Sequence, residues 1–428
     1  MMTQELPFGL QSPGIGGKIK HRVGDFVVQE IGLDGKACAI LSLFENEKKE
    51  LEHSIPENPL GLEQLHIQLE KFSYTTVNAI DMLSRATQCS RKRFGFAGMK
   101  DKRAITSQWI SIWKPDTERL MDFKSRFLEW HDARWSGKRL GLGDAQGNHF
   151  TIAVRDLELE EKEIEKRLKA IFSEMRHGIP NYFGEQRFGG ARDVTHEVGK
   201  AILKEDLEAA VWLYLTKPGS DRDESNEMRK ALGETKDVRK ALGDFPRKFR
   251  MERSMLGHLA KNPDDFAGAL QSVPKNLTYL FVHALQSDLY NQIIRKRIEQ
   301  GIGLKAVEGD MLEDEVPTAP LFGTRTTFAT GAPGEIERSV LEENGMTLED
   351  FNSERFPIAS SQGERRKIAL VPQQLKLDDV SADEFFGGKR KAVISFSLEK
   401  GCYATTVLRE ITKTAEACAC SSTPASID

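Results

Sequence analysis

In the stretch Gly95-Phe96-Ala97-Gly98-Met99-Lys100-Asp101-Lys102-Arg103-Ala104-Ile105-Thr106-Ser107-Gln108, a single carboxylate, Asp101, stands between Lys100 and Lys102. Arg103 follows and two glycines precede. Cationic neighbours favour the ionised form of a carboxylate. The same cations, Lys100, Lys102 and Arg103, attract phosphate. A chain that bends at Gly95 and Gly98 brings the carboxylate and a nucleic-acid backbone into one cleft. The other reading of an Asp among lysines is a solvated surface turn.

Further residues fit the same chemistry, each beside a plainer reading. Asn148 and Phe150 lie two apart at a strand start, so their side chains share a face. A Phe beside an Asn stacks a flipped base and hydrogen-bonds its edge; a core Phe with a turn Asn is the plainer and commoner reading. Tyr182, Phe183, Gln186, Arg187 and Phe188 have the types of a base-stacking, phosphate-contacting surface, or of the packing at a domain hinge. Arg91, Lys92 and Arg93, and likewise Arg365 and Arg366, bind phosphate or form solvated faces. Lys18, Lys20 and Arg22 alternate on a strand, offering a basic edge to RNA or guarding a sheet edge. Cations from Arg239 to Arg253 are mixed with acids, the pattern of a solvated face.

The elements that must position these residues follow from periodicity. His21 to Ile31 reads as a strand around Phe26-Val27-Val28. Leu65 to Glu70 alternates apolar and polar, as a half-buried strand does. Thr75 or Thr76 caps a helix whose face is Val77, Ile80 and Leu83. A strand and turn run from Gly95 to Asp101, and Ile110 and Ile112 mark the next strand. Trp135 to Phe150 is glycine-rich and basic, and Thr151 to Val154 continues as a strand. Glu160 to His177 is an amphipathic helix with Ile164, Leu168, Ile171 and Met175 on one side. Residues 191–300 read as mostly helical; Arg229-Lys230-Ala231-Leu232-Gly233 recurs as Arg239-Lys240-Ala241-Leu242-Gly243, two helices ending at glycine. Phe281 to Ile294 is a helix, and 305–360 reads as loop-rich. Ala392 to Leu398 is a strand, after which Gly401 turns the chain into a helix bearing Val407, Leu408 and Ile411. From Ala415 the composition is that of a disordered tail. Strand-rich ends around a helical block predict one mixed domain built from both termini, with a second inserted in its middle.

Bulk properties narrow the function. A chain of 428 residues, 39% hydrophobic and 29% charged, holds two or three globular domains. A net charge of -4 argues against indiscriminate nucleic-acid binding, so any RNA site is a local basic patch. No apolar run reaches membrane-spanning length, and the N-terminus lacks signal-peptide character. Five scattered cysteines fit a reducing cytosol. Cys418 and Cys420 have no second pair to complete a zinc site, and nine histidines show no HExxH. Neither GxGxxG nor a P-loop is present, so no metal and no nucleotide cofactor is expected.

Taken in order, these segments resemble the TruD family of RNA pseudouridine synthases. Gly95 to Ala104 is similar to the family's catalytic motif, which makes Asp101 the essential aspartate. Asp25-Phe26-Val27-Val28-Gln29-Glu30 resembles its N-terminal strand, with Lys20 the match for a basic residue near the active site. Gly147-Asn148-His149-Phe150 is similar to its Asn-x-Phe, whose aromatic stacks in the site. Pro180-Asn181-Tyr182-Phe183-Gly184-Glu185-Gln186-Arg187-Phe188-Gly189 is the family's most distinctive signature. Gln286-Ser287 with Tyr290-Asn291, Gly363-Glu364-Arg365-Arg366 and Gly401 to Glu410 complete the series. Length and the helical insert look like the archaeal and eukaryotic branch.

The resemblance implies an α+β (mixed α/β) fold: a catalytic domain with a central, mostly antiparallel sheet flanked by helices, split by an inserted α/β TRUD domain. Its parts would be 1–180 and 373–414 for the catalytic domain, 181–372 for the insert, and 415–428 for the tail. It further implies a cytoplasmic enzyme that needs no cofactor, metal, membrane or obligate protein partner and acts on tRNA, at the uridine of position 13. Isomerisation breaks the N1–C1′ bond, turns the uracil and rejoins it through C5. Asp101 attacks C1′ or removes the C2′ proton; both need the ionised carboxylate. Lys20 would hold that state, Phe150 would stack the base, and Asn148 would orient loop or base. Two other readings use the same residues: a non-catalytic RNA-binding protein on the same scaffold, and a base hydrolase, which needs a second carboxylate.

Overall fold

The structure, a computed structural model, describes residues 6–44, 48–219 and 224–414; the expected tail at 415–428 lies outside them. Strands in chain order are β1 (Phe26–Ile31), β2 (Gln64–Phe72), β3 (Phe94–Phe96), β4 (Ile105–Trp113), β5 (Leu128–Ser136), β6 (Gly147–Leu157), β7 (Ile179–Pro180), β8 (Leu312–Glu313), β9 (Val316–Leu321), β10 (Glu364–Lys367), β11 (Ala369–Leu370), β12 (Gln373–Ala382) and β13 (Arg390–Glu399). The chain divides into two compact units, one of residues 10–177 and 371–414, the other of 6–9 and 178–370.

The first unit is built on an eight-stranded sheet of order β12-β13-β6-β1-β4-β2-β5, with β3 added on β4. All its pairings are antiparallel except β1 with β4, where Val27 faces Ile105 and Gln29 faces Ser107. That one parallel pair brings the start of β1 beside the chain leaving the Asp101 loop. The helix Thr76–Ala86 begins where expected, the Thr75 hydroxyl accepting from the Asn78 amide at 3.1 Å. It buries Ala79, Ile80 and Leu83 against Leu65, Ile67, Leu69 and Trp130. Each such fully buried aliphatic side chain contributes roughly 1.5–3 kcal/mol. The helix Glu161–Met175 buries Ile164, Leu168, Ile171 and Met175, the stripe its spacing predicts.

Two elements differ from expectation here. The strand foreseen from His21 begins only at Phe26, because Asp25 accepts from the Arg22 amide at 2.7 Å and closes a single 3-10 turn, Val23–Asp25. And β2 is buried on both faces rather than one. Its polar face is covered by residues 39–43: Gln68 accepts from Ala39, and Glu70 from Leu41, Ser42 and Leu43. Polar side chains tolerate this burial because their hydrogen bonds are met.

In the second unit the entry and exit strands pair antiparallel, Ile179 with Leu370 and Pro180 with Ala369. Its spine is the helix Lys275–Glu299, which buries Phe281, Val282, Leu285, Leu289, Tyr290, Ile293 and Ile294. Gly199, on the helix Thr195–Leu203, lies so close to it that a Cβ would fall 2.1 Å from the Phe281 carbonyl oxygen. The RKALG copies do not stop at glycine. Their helices run on to Thr235 and Asp244, past Gly233 and Gly243. The segment 305–360 is loop-rich as expected, and within it lie β8, β9 and the helix Gly331–Glu343, whose buried face includes Ile336, Val340 and Leu341. Among the described residues no helix is long and apolar enough to cross a membrane.

Candidate active site

The loop carrying Asp101 sits between β3 and β4 and is held from behind by buried polar groups. Gln108 Nε2 donates to the Gly98 carbonyl at 2.9 Å. Thr76 Oγ1 donates to Gln108 Oε1 at 2.8 Å and accepts from the Lys100 amide at 3.0 Å. The Lys71 ammonium donates to the carbonyls of Asp101 and Tyr74 at 2.7 and 2.6 Å. Lys71 is 0% exposed. Burial pushes its pKa down to about 7, against the opposing pull of the Asp101 charge. Three of the four loop residues from Gly98 to Asp101 thus have a backbone group fixed by a side chain of another element.

The Asp101 carboxylate itself is 38% exposed, and Lys20 Nζ lies 3.5 Å from its Oδ2. Lys20 sits in the left-handed region at φ 55°, a conformation costing a non-glycine residue roughly 1–2 kcal/mol. Its buried ammonium lies 4.0 Å from the centroid of the Phe26 ring. Phe26 in turn meets Phe150 edge-on at 6.1 Å, and Phe150 stacks on Phe396 at 5.5 Å. A continuous series of contacts therefore runs from carboxylate to ammonium to three rings. Phe150 is buried, so Phe26 intervenes between it and Lys20. Asn148, two residues earlier on β6, has a buried Oδ1 with no hydrogen-bond partner among the described residues, an acceptor available to a ligand.

Of the cations around Asp101, Lys100 is not on the carboxylate. Its side chain is buried in a 2.6 Å ion pair with Glu30 Oε2, so it does not present charge to phosphate, contrary to the sequence expectation. The reason is the parallel β1–β4 pairing, which puts Glu30 behind the loop. Lys102 is exposed, and Arg103 donates to the His21 carbonyl at 2.9 Å. Gly95 does not serve as a bend: it lies in β3, where a Cβ would fall 2.3 Å from the Leu140 carbonyl oxygen. In the basic triplet, exposed Arg91 pairs with Asp81 at 2.6 Å. Arg93 donates to the carbonyls of Trp113 and Lys114, and Lys92 is exposed.

The second motif-rich segment, in the other unit, turns inward. Tyr182 and Phe183 are buried and offer no open face to a base, which corrects the expectation that they stack one. Asn291 Oδ1 accepts from the Phe183 amide at 2.9 Å, and its Nδ2 donates to the Phe183 carbonyl at 3.0 Å. The Phe183 ring meets Tyr290 edge-on at 5.4 Å and carries the guanidinium of Arg366 at 4.4 Å and of Arg187 at 5.4 Å. Arg187 also donates to Ser287, and Arg366 to Asn181. Arg365 donates to Thr318, Thr327 and Glu337, holding β10 to its neighbours, which corrects its reading as a phosphate ligand. The Gln186 side chain lies outside the described residues.

Sequence reasoning missed Lys71, Thr76, Gln108 and Glu30. Lys71 had a signal: it continues the apolar face of Leu65, Ile67 and Leu69, where a lysine must answer to a buried partner.

The described part of the chain is thus an α+β protein whose eight-stranded sheet presents one solvent-reached carboxylate beside a buried ammonium. A family model described as tRNA pseudouridine synthase D (TruD) matches residues 6–316 and 312–411. The chain is 37% identical to "Probable tRNA pseudouridine synthase D" of Methanococcoides burtonii, with 94% of each chain covered. It is 38% identical to the protein of that name from Methanosarcina mazei, with 95% of each covered. A solved structure described as the "Putative tRNA pseudouridine synthase D (TruD)" from Methanosarcina mazei superposes with a TM-score of 0.76 at 37% identity, covering 95% of this chain and 96% of that one. The chain belongs to the tRNA pseudouridine synthase D (TruD) family.

Proposed function

We propose that Asp101 is the carboxylate at which this chain isomerises uridine to pseudouridine in tRNA, with the position-13 uridine as its target. The chain is an isomerase by its family. The observation supporting Asp101 is its combination of partial exposure, a Lys20 ammonium at 3.5 Å and a loop fixed by Lys71, Gln108 and Thr76. Positioning of this kind is worth several kcal/mol of a reaction barrier. The target nucleotide leaves its stack at a cost of a few kcal/mol, and its ribose comes against Asp101. From there the carboxylate attacks C1′ and displaces N1, or takes the C2′ proton as the N1–C1′ bond breaks; uracil turns, and C5 bonds to C1′ as the Asp101 ester breaks or the C2′ proton is returned. C5 gives its proton to solvent and N1 takes one up, so the isomerisation needs no oxidant, reductant or co-reactant.

In this reading Lys20 supplies the fixed positive charge at the carboxylate, and Asn148 Oδ1 accepts from the N3–H of the uracil. Phe26 and Phe150 form the apolar wall behind. The unit of residues 10–177 and 371–414 is the catalytic domain, and the insert at 178–370 contacts the body of the tRNA. Lys102 and Arg103, with Arg91 and Lys92, supply phosphate contacts. A cytoplasmic enzyme fits the unpaired thiols of Cys38 and Cys89. A non-catalytic RNA binder on the same scaffold has no use for the polar scaffold behind Asp101.

The test is tritium release from C5-labelled tRNA transcripts, with one transcript carrying uridine at position 13 and a second carrying cytidine there. Release from the first alone is expected. No release from either would end the reading.

A further inference from the structure

The left-handed turn at Lys20 has a second effect. While Lys20 is buried, its neighbour His21 is exposed, beside the tip of the β12–β13 hairpin. There the His21 ring lies 4.8 Å from Phe386 and 5.8 Å from Phe385. The Arg22 guanidinium is 4.6 Å from the Phe385 centroid, and Lys18 Nζ is 5.5 Å from that of Phe386. Arg103, two residues after Asp101, donates to the His21 carbonyl. The cluster is therefore continuous with the catalytic loop on one side and with Lys20 on the other.

Phe385 is 42% exposed, yet it is tightly placed. Beneath it Arg155, 4% exposed, donates to Asp25 at 2.7 Å and to Asp383 and Glu384 at 3.1 Å, with its guanidinium 4.7 Å from the Phe385 centroid. Asp383 also accepts from the amides of Asp156 and Phe385. Burying this many charges is expensive and adds little net stability compared with apolar packing. What it secures is position: the hairpin tip is fixed to the segment bearing Lys20 and Arg22. The acids nearby are already engaged, Glu384 with Arg155 and Lys391, and Asp156 with Lys18. A fixed, exposed aromatic edge among arginines matches a nucleobase and its phosphate.

We propose that His21, Arg22, Phe385 and Arg103 form a subsite for the unpaired nucleotide adjoining the target in the same RNA strand. This inference rests on the reading of Asp101 given above. When the target uridine turns out, its neighbour loses a stacking partner. The His21–Phe385 shelf replaces that partner, and Arg22 and Arg103 meet the intervening phosphate. The flanking base is held by stacking and charge, so the subsite accepts any base.

The experiment uses the full chain carrying Asp101→Asn, so that binding is read without turnover, and fluorescein-labelled tRNA transcript as the probe. Phe385→Ala weakens binding roughly tenfold, as loss of one base stack does. Phe385→Trp restores it to within about twofold, whereas Phe385→Leu, which keeps apolar volume, does not. Arg22→Gln flattens the salt dependence by about one counterion, and Phe385→Ala leaves it unchanged. Transcripts with 2-aminopurine on either side of the target report position: quenching at one of the two sites is expected, and its loss in Phe385→Ala. Wild-type affinity in Phe385→Leu, or quenching at neither site, overturns the subsite. In the otherwise wild-type chain, absent tritium release sinks the catalytic reading instead, and release with unaltered affinity in Phe385→Ala and Phe385→Leu sinks the subsite alone.

Discussion

The loop at 98–101 and the segment at 180–189 both combine glycine, charge and family signature, yet the fold uses them oppositely. The first directs buried side chains at its own backbone so that one carboxylate faces water. The second directs its own aromatic side chains into the core and makes its hydrogen bonds there, with Asn291, Ser287 and Arg366. A recurrent motif thus records a demand on the backbone as readily as a chemical step. The division is visible in the arginines: Arg103 stays beside Asp101, whereas Arg365 and Arg366 have their donors taken up by β9, the helix Gly331–Glu343 and Asn181.

The sharpest way to break this contrast is Asp101→Asn. Turnover should fall by at least 10²–10⁴-fold, the scale of a lost proton-transfer or nucleophilic group, with tRNA affinity nearly intact. Tritium release and filter binding read the two together, and appreciable pseudouridine from this variant would remove Asp101 from the chemistry. On the other side, Phe183→Ala should lower stability by about 3–5 kcal/mol through the emptied core site, while turnover per folded molecule stays within about twofold. A large loss of RNA affinity at unchanged urea midpoint would mean the segment faces RNA after all. Lys71→Met should fall between these: a kcat loss of about tenfold with KM little changed, since a loosened Asp101 loop misplaces the carboxylate without altering RNA contacts. An unchanged kcat would show that Thr76 and Gln108 suffice.

The last expected effect is one of pH. The folded-state pKa of Lys71, about 7, lies below its unfolded value. From about pH 7 to pH 10 the unfolded chain therefore binds a proton that the folded chain has released. Wild-type stability should climb relative to Lys71→Met across that window in urea melts at stepped pH. Parallel curves would show that the buried amine keeps its proton.

How legible this was depended on the range over which each feature is determined. The strands β2, β4 and β13, and the helices Thr76–Ala86, Glu161–Met175 and Lys275–Glu299, follow from local period and caps, and their positions were readable. Asp101, Lys20, Asn148 and Phe150 were singled out, and the fold brings Asp101, Lys20 and Phe150 into one series of contacts through Phe26. What spacing does not contain is which strand lies beside which. The parallel placing of β1 against β4 diverts Lys100 to Glu30. The hairpin β12–β13 supplies Phe396 behind Phe150 and the carboxylates around Arg155. The inward turn of Tyr182 and Phe183 depends on a helix that begins more than 90 residues later, at Lys275.

The edge of β6 bears on biosynthesis. Its neighbour β13 pairs with it from Arg390 opposite Leu157 to Glu399 opposite Gly147, yet emerges only after the whole of 178–370 has been made. Until then a nascent chain carries β6 with a row of unmatched amides and carbonyls, an invitation to pair with other chains. Polypeptides terminated before residue 373 should therefore aggregate, and co-translational chaperones should be needed for most of the ribosome's passage along this message.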